Sequence, residues 1–234
     1  MLHATRGIVL HATRYAETSL VVKIYTEQSG LQSYLVKGVY SRQSKNRPAL
    51  FQPLSLLDMV AYHRERRSLN TLKEVRLAHP YQVLPFDIRR SSVALFMNEL
   101  VYKTVREEET NGPLFAFLWQ SCLELDDAAV SPGEFPLRFA LRLMEYLGIA
   151  PRNDRTEGSP VFDLREGHFL PAFPGHPDYL AGEAAVQFSE LLAGRVPAAP
   201  SRFTLLDTVV RYYRLHLPGA REVQAHRILH DVLS

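Results

Sequence analysis

The 234-residue chain has a single cysteine, Cys122, which excludes an internal disulfide framework and any cysteine-based zinc site. A reducing compartment suits such a chain. Nowhere do about 18 apolar residues run together, and the early run Ile8-Val9-Leu10 is too short for a signal-peptide core. A soluble, cytoplasmic protein is the expectation. The 12 glycines never stand two positions apart, so neither a dinucleotide-binding fingerprint nor a Walker phosphate loop can be written. There is no Gly-x-Ser-x-Gly elbow, internal repeat or low-complexity tract.

What is present is an ordinary globular composition, 46% apolar and 22% charged, with 15 scattered prolines. The net charge of +2 conceals an uneven distribution. Residues 1–82 hold 12 Lys and Arg against 5 Asp and Glu, net +7, while residues 83–234 hold 15 against 20, net −5.

The basic part has period-two patterning, β-branched enrichment and closely spaced turn residues, the signature of consecutive antiparallel strands. Strands are predicted at residues 6–12, 19–26, 31–36, 54–62 and 70–77, with a hairpin turn at Gln28-Ser29-Gly30. Short strands without intervening helices predict a small barrel. Residues 38–50 are polar, contain Pro48 and lack apolar periodicity, so they are read as a mobile loop.

Beyond Pro80 and Pro85 the period becomes helical. Val93, Phe96, Leu100, Val101 and Thr104 form one stripe, and Leu114, Phe117, Leu118, Cys122 and Leu125 a second after the break at Asn111-Gly112-Pro113. Cys122 is thus read as a small buried hydrophobe. Ser131-Pro132-Gly133-Glu134 reads as a capping box for a third helix ending at Gly148, and three successive helices indicate a bundle. Residues 150–182 are irregular, with short extended pieces at 161–164 and 168–170. Further helices are predicted over 183–193, after a Ser201 cap, and over 222–233. The fold class is therefore α+β, divided into a barrel over 1–82 and a helical domain over 83–234.

Two cationic runs are the functional candidates. Lys37, Arg42, Lys45 and Arg47 fall in an acid-free stretch whose start is bracketed by Tyr34 and Tyr40. Arg64, Arg66 and Arg67 occupy the predicted turn between the last two strands. Cations neutralise phosphates and release counterions, and tyrosine faces accept unpaired bases. Arg14, Lys73 and Arg76 are secondary candidates that also suit a supporting role in the barrel. Solvated, solubilising turns have the same composition, and the +7 imbalance tips the reading towards nucleic acid. Of the histidines, His226 and His230 lie four apart on a helix with Arg227 where a zinc protease needs Glu, and are read as solvated surface. His168 and His176 stand near Asp163 and Asp178, a set compatible with a metal but also ordinary for a polar loop.

Several ordered pieces are similar to the opening of the RecO family of bacterial DNA repair and recombination mediators. They are Arg6-Gly7-Ile8-Val9-Leu10, Tyr15-Ala16-Glu17-Thr18-Ser19 with Val21, Tyr25 and Thr26, Gly30-Leu31, Val36-Lys37-Gly38 and Leu50-Phe51-Gln52-Pro53. Residues 139–148, Phe-Ala-Leu-Arg-Leu-Met-Glu-Tyr-Leu-Gly, resemble the family's helix before its zinc module. The resemblance covers most of the chain. It implies an oligonucleotide-binding (OB-fold) barrel followed by a helical domain. It further implies binding of single- and double-stranded DNA, annealing of complementary strands, and work with RecR and the single-strand DNA-binding protein to load recombinase. The family is not thought of as hydrolytic. Many members carry four cysteines after that helix and this chain carries none there, so neither zinc nor any cofactor is implied, and Phe162-Asp163-Leu164 with Phe169 are expected to close that segment by apolar packing.

The helical half is read as a partner-receiving domain, in which Arg138 and Arg142 could receive an acidic, apolar-ended tail or simply pair with Glu134 and Glu145. Two other classes remain open. One is a metal-dependent nuclease using Asp154, Asp163 and Asp178, and the other a protein scaffold whose basic loops only solubilise it.

Overall fold

The computed structural model describes residues 2–40, 48–62, 69–106 and 108–233, with the backbone alone at 199 and 200. Five strands, β1 (Leu2–Arg14), β2 (Leu20–Thr26), β3 (Gly30–Val36), β4 (Leu56–Tyr62) and β5 (Asn70–His79), form a closed barrel in the order β1-β2-β3-β5-β4. This is the expected five-stranded barrel. Neighbouring strands are antiparallel except β3 and β5, which run parallel through the pairs Tyr34 with Asn70 and Leu35 with Thr71. The alternation explains the fold. Leu20, Val22 and Ile24 of β2 point inward with Tyr34 and Val36 of β3 and Leu57, Met59 and Ala61 of β4. Gly7 sits where β1 crosses this core, and a Cβ there would lie 2.5 Å from Ile24 Cγ2 and 3.0 Å from Met59 Sδ. The polar segment is not wholly a loop, because Pro48–Phe51 forms a 3-10 helix whose Phe51 is buried in the barrel core.

The chain divides into two compact units, one of residues 1–87 and 105–130, the other of 88–104 and 131–234. The three successive helices therefore do not make one bundle: α2 (Gly112–Asp126) groups with the barrel, whereas α1 (Ile88–Thr104) and α3 (Phe135–Tyr146) group with the C-terminal helices. Aromatic packing explains the placement of α2. Its Phe115 stacks on Tyr25 at 6.3 Å, and Arg6 lies over the Trp119 ring at 4.9 Å. Asn111 caps the helix by accepting from Leu114 N–H.

At the other end of α2, the Asp126 carboxylate accepts hydrogen bonds from the backbone N–H groups of Gln82, Val83 and Leu84 at 2.8–3.1 Å and from His79 Nε2 at 3.0 Å. Burial alone raises this carboxyl's pKa. The backbone bonds and the His79 contact outweigh that effect and hold it at about 2. Leu54, in left-handed conformation at φ 62°, is held from two sides: its N–H donates to Val9 O at 2.7 Å and its carbonyl accepts from the Tyr81 hydroxyl at 2.7 Å.

In the second unit, α3 ends at Gly148, whose φ of +70° lets Ile149 N–H reach Met144 O. The capping box is not formed. Helix α3 starts at Phe135 without a side-chain cap, and Glu134 instead pairs with Arg202. Nor does Ser201 cap: α5 (Ala199–His216) begins two residues earlier at a Pro-containing first turn. The last helix, α6 (His226–Leu233), starts later than predicted because residues 218–222 form a 3-10 turn. The irregular segment contains the two expected extended pieces as β6 (Val161–Asp163) and β7 (His168–Leu170) and adds a short β8 (Tyr179–Leu180), in the order β7-β6-β8. Phe162 is buried against Phe169 at 4.9 Å and against Phe188 of α4 (Glu183–Leu192) at 4.8 Å, so this segment closes by aromatic packing as expected.

Two outcomes test this account. Replacing Gly7 by Ala should destabilise the barrel by about 1–3 kcal/mol, measured by urea unfolding, because the core has no space for the added carbon. The Asp126 pKa is depressed in the folded state, so its contribution of about 2 kcal/mol is present above about pH 4 and lost as pH falls towards 2. Asp126→Ala should lower stability at neutral pH and flatten that acid limb in unfolding curves recorded across the range.

Candidate nucleic-acid interface

Strand register brings the end of β1, the start of β2 and the end of β3 together, since Arg14 pairs with Leu20 and Leu20 with Val36. The connection between β1 and β2 is a tight turn in which Tyr15 N–H donates to Ser19 O at 3.0 Å and Arg14 Nη2 to Glu17 O at 3.1 Å. The segment leaving β3 lies on this turn. Val39 is buried in the barrel core, Tyr40 N–H reaches Thr18 O, and the Arg14 guanidinium stands 5.1 Å from the centre of the Tyr40 ring. Lys37 is exposed beside them, as are Tyr40 at 46% and Tyr15 at 66%.

The parallel pairing of β3 with β5 also sets Asn70 and Thr71 against Tyr34 and Leu35. The chain therefore leaves β3 and enters β5 at neighbouring points, where the two cationic runs attach to the barrel. Arg42, Lys45, Arg47, Arg64, Arg66 and Arg67 themselves lie outside the described residues.

Tyr34 does not share the role considered for Tyr40. It is 2% exposed and points into the core, where burial pushes its hydroxyl up to about 12. Its parity with Val36 on β3 carries that information. Tyr15, a lone aromatic in a polar turn, is the residue that sequence reasoning missed as a candidate.

Arg76 sits on a different face. Arg76 pairs with Asp58 at 2.9 Å in the cross-strand row Arg6, Asp58, Arg76, and Lys73 lies 3.5 Å from Glu74. Arg6, also unforeseen, is gripped by Glu27 through two hydrogen bonds of 2.6 and 2.9 Å, which lower the Glu27 pKa. A groove of about 580 Å³ runs along this face, lined by Arg6, Glu27, Asp58, Glu74 and Arg76 among others. Its three acids outnumber its two bases, unlike the turn that carries Arg14 and Lys37.

In the helical unit, Arg138 and Arg142 are both exposed on α3. Arg142 bonds Glu145 at 2.5 Å and lies near the Tyr146 ring, while Glu134 is engaged with Arg202. The three aspartates weighed as metal ligands all hold protein groups. Asp154 accepts from Phe169 N–H, Asp163 from Arg165 and Glu166 N–H, and Asp178 from Arg211 and Arg165 side chains. His176 bridges two of these aspartates, accepting from Asp178 N–H at Nδ1 with Nε2 3.3 Å from Asp163. Among the described residues no three His, Cys, Asp or Glu side chains gather as a metal-binding set.

His226 is not solvated surface as read from its spacing. It is buried with Nε2 3.6 Å from Asp207 of α5, and burial followed by the charge of Arg214 lowers its pKa; His230 approaches the same Asp207 oxygen at 3.3 Å. No helix among the described residues is long and apolar enough to cross a membrane.

Two family models account for nearly the whole sequence, the recombination protein O N-terminal model over residues 1–81 and its C-terminal counterpart over residues 85–222. The chain belongs to the RecO family. Relatives named DNA repair protein RecO include those of Phocaeicola vulgatus, 35% identical, and Bacteroides fragilis, 36% identical, each aligned over 100% of both chains. That of Flavobacterium psychrophilum is 31% identical over 98% of both chains. RecO membership spans the barrel and the helical unit alike, so the N-terminal pattern is not a borrowed module on an unrelated chain.

Cys122 has no part in this interface. It is buried on α2, and burial pushes its thiol up to about 12. A thiol reagent at neutral pH should leave the native protein unmodified and label one thiol only after denaturation, as read by mass spectrometry.

Proposed function

We propose that this chain is a DNA repair and recombination mediator that binds single- and double-stranded DNA, anneals complementary strands and, with RecR, helps load recombinase onto single strands coated by single-strand DNA-binding protein. One observation carries the reading. Arg14, Lys37 and Tyr40 gather where both cationic runs join the barrel, on a chain of the RecO family. The relatives' name, DNA repair protein, supports the same conclusion.

The physics of annealing explains the arrangement. One strand must be held by its backbone with its base edges free, and the repulsion of a second phosphate chain must be screened. Lys37, Arg42, Lys45, Arg47, Arg64, Arg66 and Arg67 supply the phosphate contacts, with Arg14 as a weaker contributor. Arg76, paired with Asp58 across β4 and β5, acts chiefly as cross-strand support, and Lys73, beside Glu74 on its own strand, is a weaker phosphate contact. Residues 1–82 form the DNA-binding module. The acidic residues 83–234 receive protein partners, with Arg138 and Arg142 offering charge to the acidic tail of the single-strand DNA-binding protein. The work is cytoplasmic, at the nucleoid during repair, and it requires no catalytic step by the chain.

The decisive measurement is annealing of complementary strands coated by the cognate single-strand DNA-binding protein, without metal or ATP. Changing Arg42, Lys45 and Arg47 together to Ala should slow annealing and weaken DNA binding. If four phosphates are engaged, affinity for single strands falls with salt at a log-log slope of about −3, at roughly 0.7 per phosphate, and the triple variant flattens it. Unchanged affinity at low salt would remove these residues from the site, and metal-dependent cleavage of the DNA would overturn the mediator reading.

A further inference from the structure

We infer that Tyr40 and Tyr15 make this interface discriminate unpaired from paired DNA, with Arg14 as the positioning group. The inference rests on the DNA-binding reading above and adds to it a source of strand selectivity. Phosphate contacts alone carry none, because both forms of DNA present a charged backbone. What separates them is the base face, open in a single strand and closed by stacking and pairing in a duplex.

The two rings are built for contact outside the chain. A tyrosine exposed by 66% or 46% leaves a large apolar ring in water, and among the described residues neither phenol oxygen has a hydrogen-bond partner. Both rings belong to one loop cluster. Tyr15 opens the turn closed by its own N–H to Ser19 O, and Tyr40 is tied to that turn through Thr18 O. Val39 is anchored in the barrel core, which sets the backbone from which Tyr40 projects.

Arg14 then settles the role of each group. Its guanidinium rests on the Tyr40 ring at 5.1 Å, and its Nη2 is held by Glu17 O at 3.1 Å. A cation on one face of the ring limits its rotamer freedom, and ordering before binding reduces the entropy lost when a base stacks. With the guanidinium on one face of the ring, a base would stack on the other. Tyr34 cannot substitute, being enclosed in the core.

The test is fluorescence anisotropy with three labelled probes of equal length: a thymidine oligomer, an abasic-spacer oligomer and a duplex. Tyr40→Ala should weaken thymidine binding roughly tenfold, the size of one lost base stack, and leave the abasic and duplex affinities unchanged. Tyr15→Ala should show a smaller loss of the same kind, and Tyr40→Phe should bind as the parent does. Arg14→Ala combined with Lys37→Ala should weaken all three probes. Equal loss on every probe for Tyr40→Ala would reduce the ring to a support for Arg14 and overturn the inference, as would no loss on any probe. If the tyrosine variants are silent while the Arg14 and Lys37 double variant binds poorly, the DNA-binding reading stands and only this inference falls. If that double variant and the loop triple variant both bind normally, the DNA-binding reading itself falls. Both tyrosines are exposed, so unfolding midpoints matching the parent will separate binding losses from folding losses.

Discussion

The carboxylate of Asp126 decides the path of the chain as it leaves the barrel. Three consecutive amides at 82–84 follow directly upon β5, where no further strand pairing satisfies them, and one buried side chain from α2 takes them all. Water would otherwise be needed there. A negative charge near a helix C-terminus is electrostatically unfavourable by itself, so the amide bonds must supply more than that cost. The same contact locks the C-terminal end of α2, while Phe115 and Trp119 engage Tyr25 and Arg6 nearer its start. The helix is thereby tied to the barrel along its length, and the strands it touches are held in register.

Charge is partitioned with equal economy. On the face carrying Arg6, Asp58 and Arg76 each cation has an acid beside it, and the row behaves as internal bracing. Around Arg14, Lys37 and Tyr40 the partners among the described residues are a ring and a backbone carbonyl, neither of which carries a negative charge. Two basic regions of similar composition thus have different electrostatic character, and cross-strand register distinguishes them.

Much of the barrel was legible because period-two alternation and β-branched residues report directly which side chains enter the core. The strands came out within a few residues, and Phe162 with Phe169 was foreseen because two aromatics flanking a turn in a polar segment have few other uses. What escaped were contacts between residues far apart in sequence. Glu134 has the spacing of a capping box, yet an arginine 68 positions later takes it. His226 has the spacing of a solvated face, yet α5 covers it. The grouping of α2 with the barrel depends on Tyr25 and Arg6, to which no local pattern in α2 points. At the candidate site, Lys37, Tyr40 and Arg14 were legible from composition; Tyr15 was not, because one exposed ring leaves no periodic trace.

The seam between β3 and β5 spans two register pairs, where each of the other four seams spans seven. A closed barrel opens first along its shortest ladder, since fewest hydrogen bonds must break there. The amides of Asn70 and Thr71 should therefore report a local breathing motion far below the cost of global unfolding. Because that ladder lies where both cationic segments are rooted, the distance between their anchor points is the softest coordinate of an otherwise stiff frame.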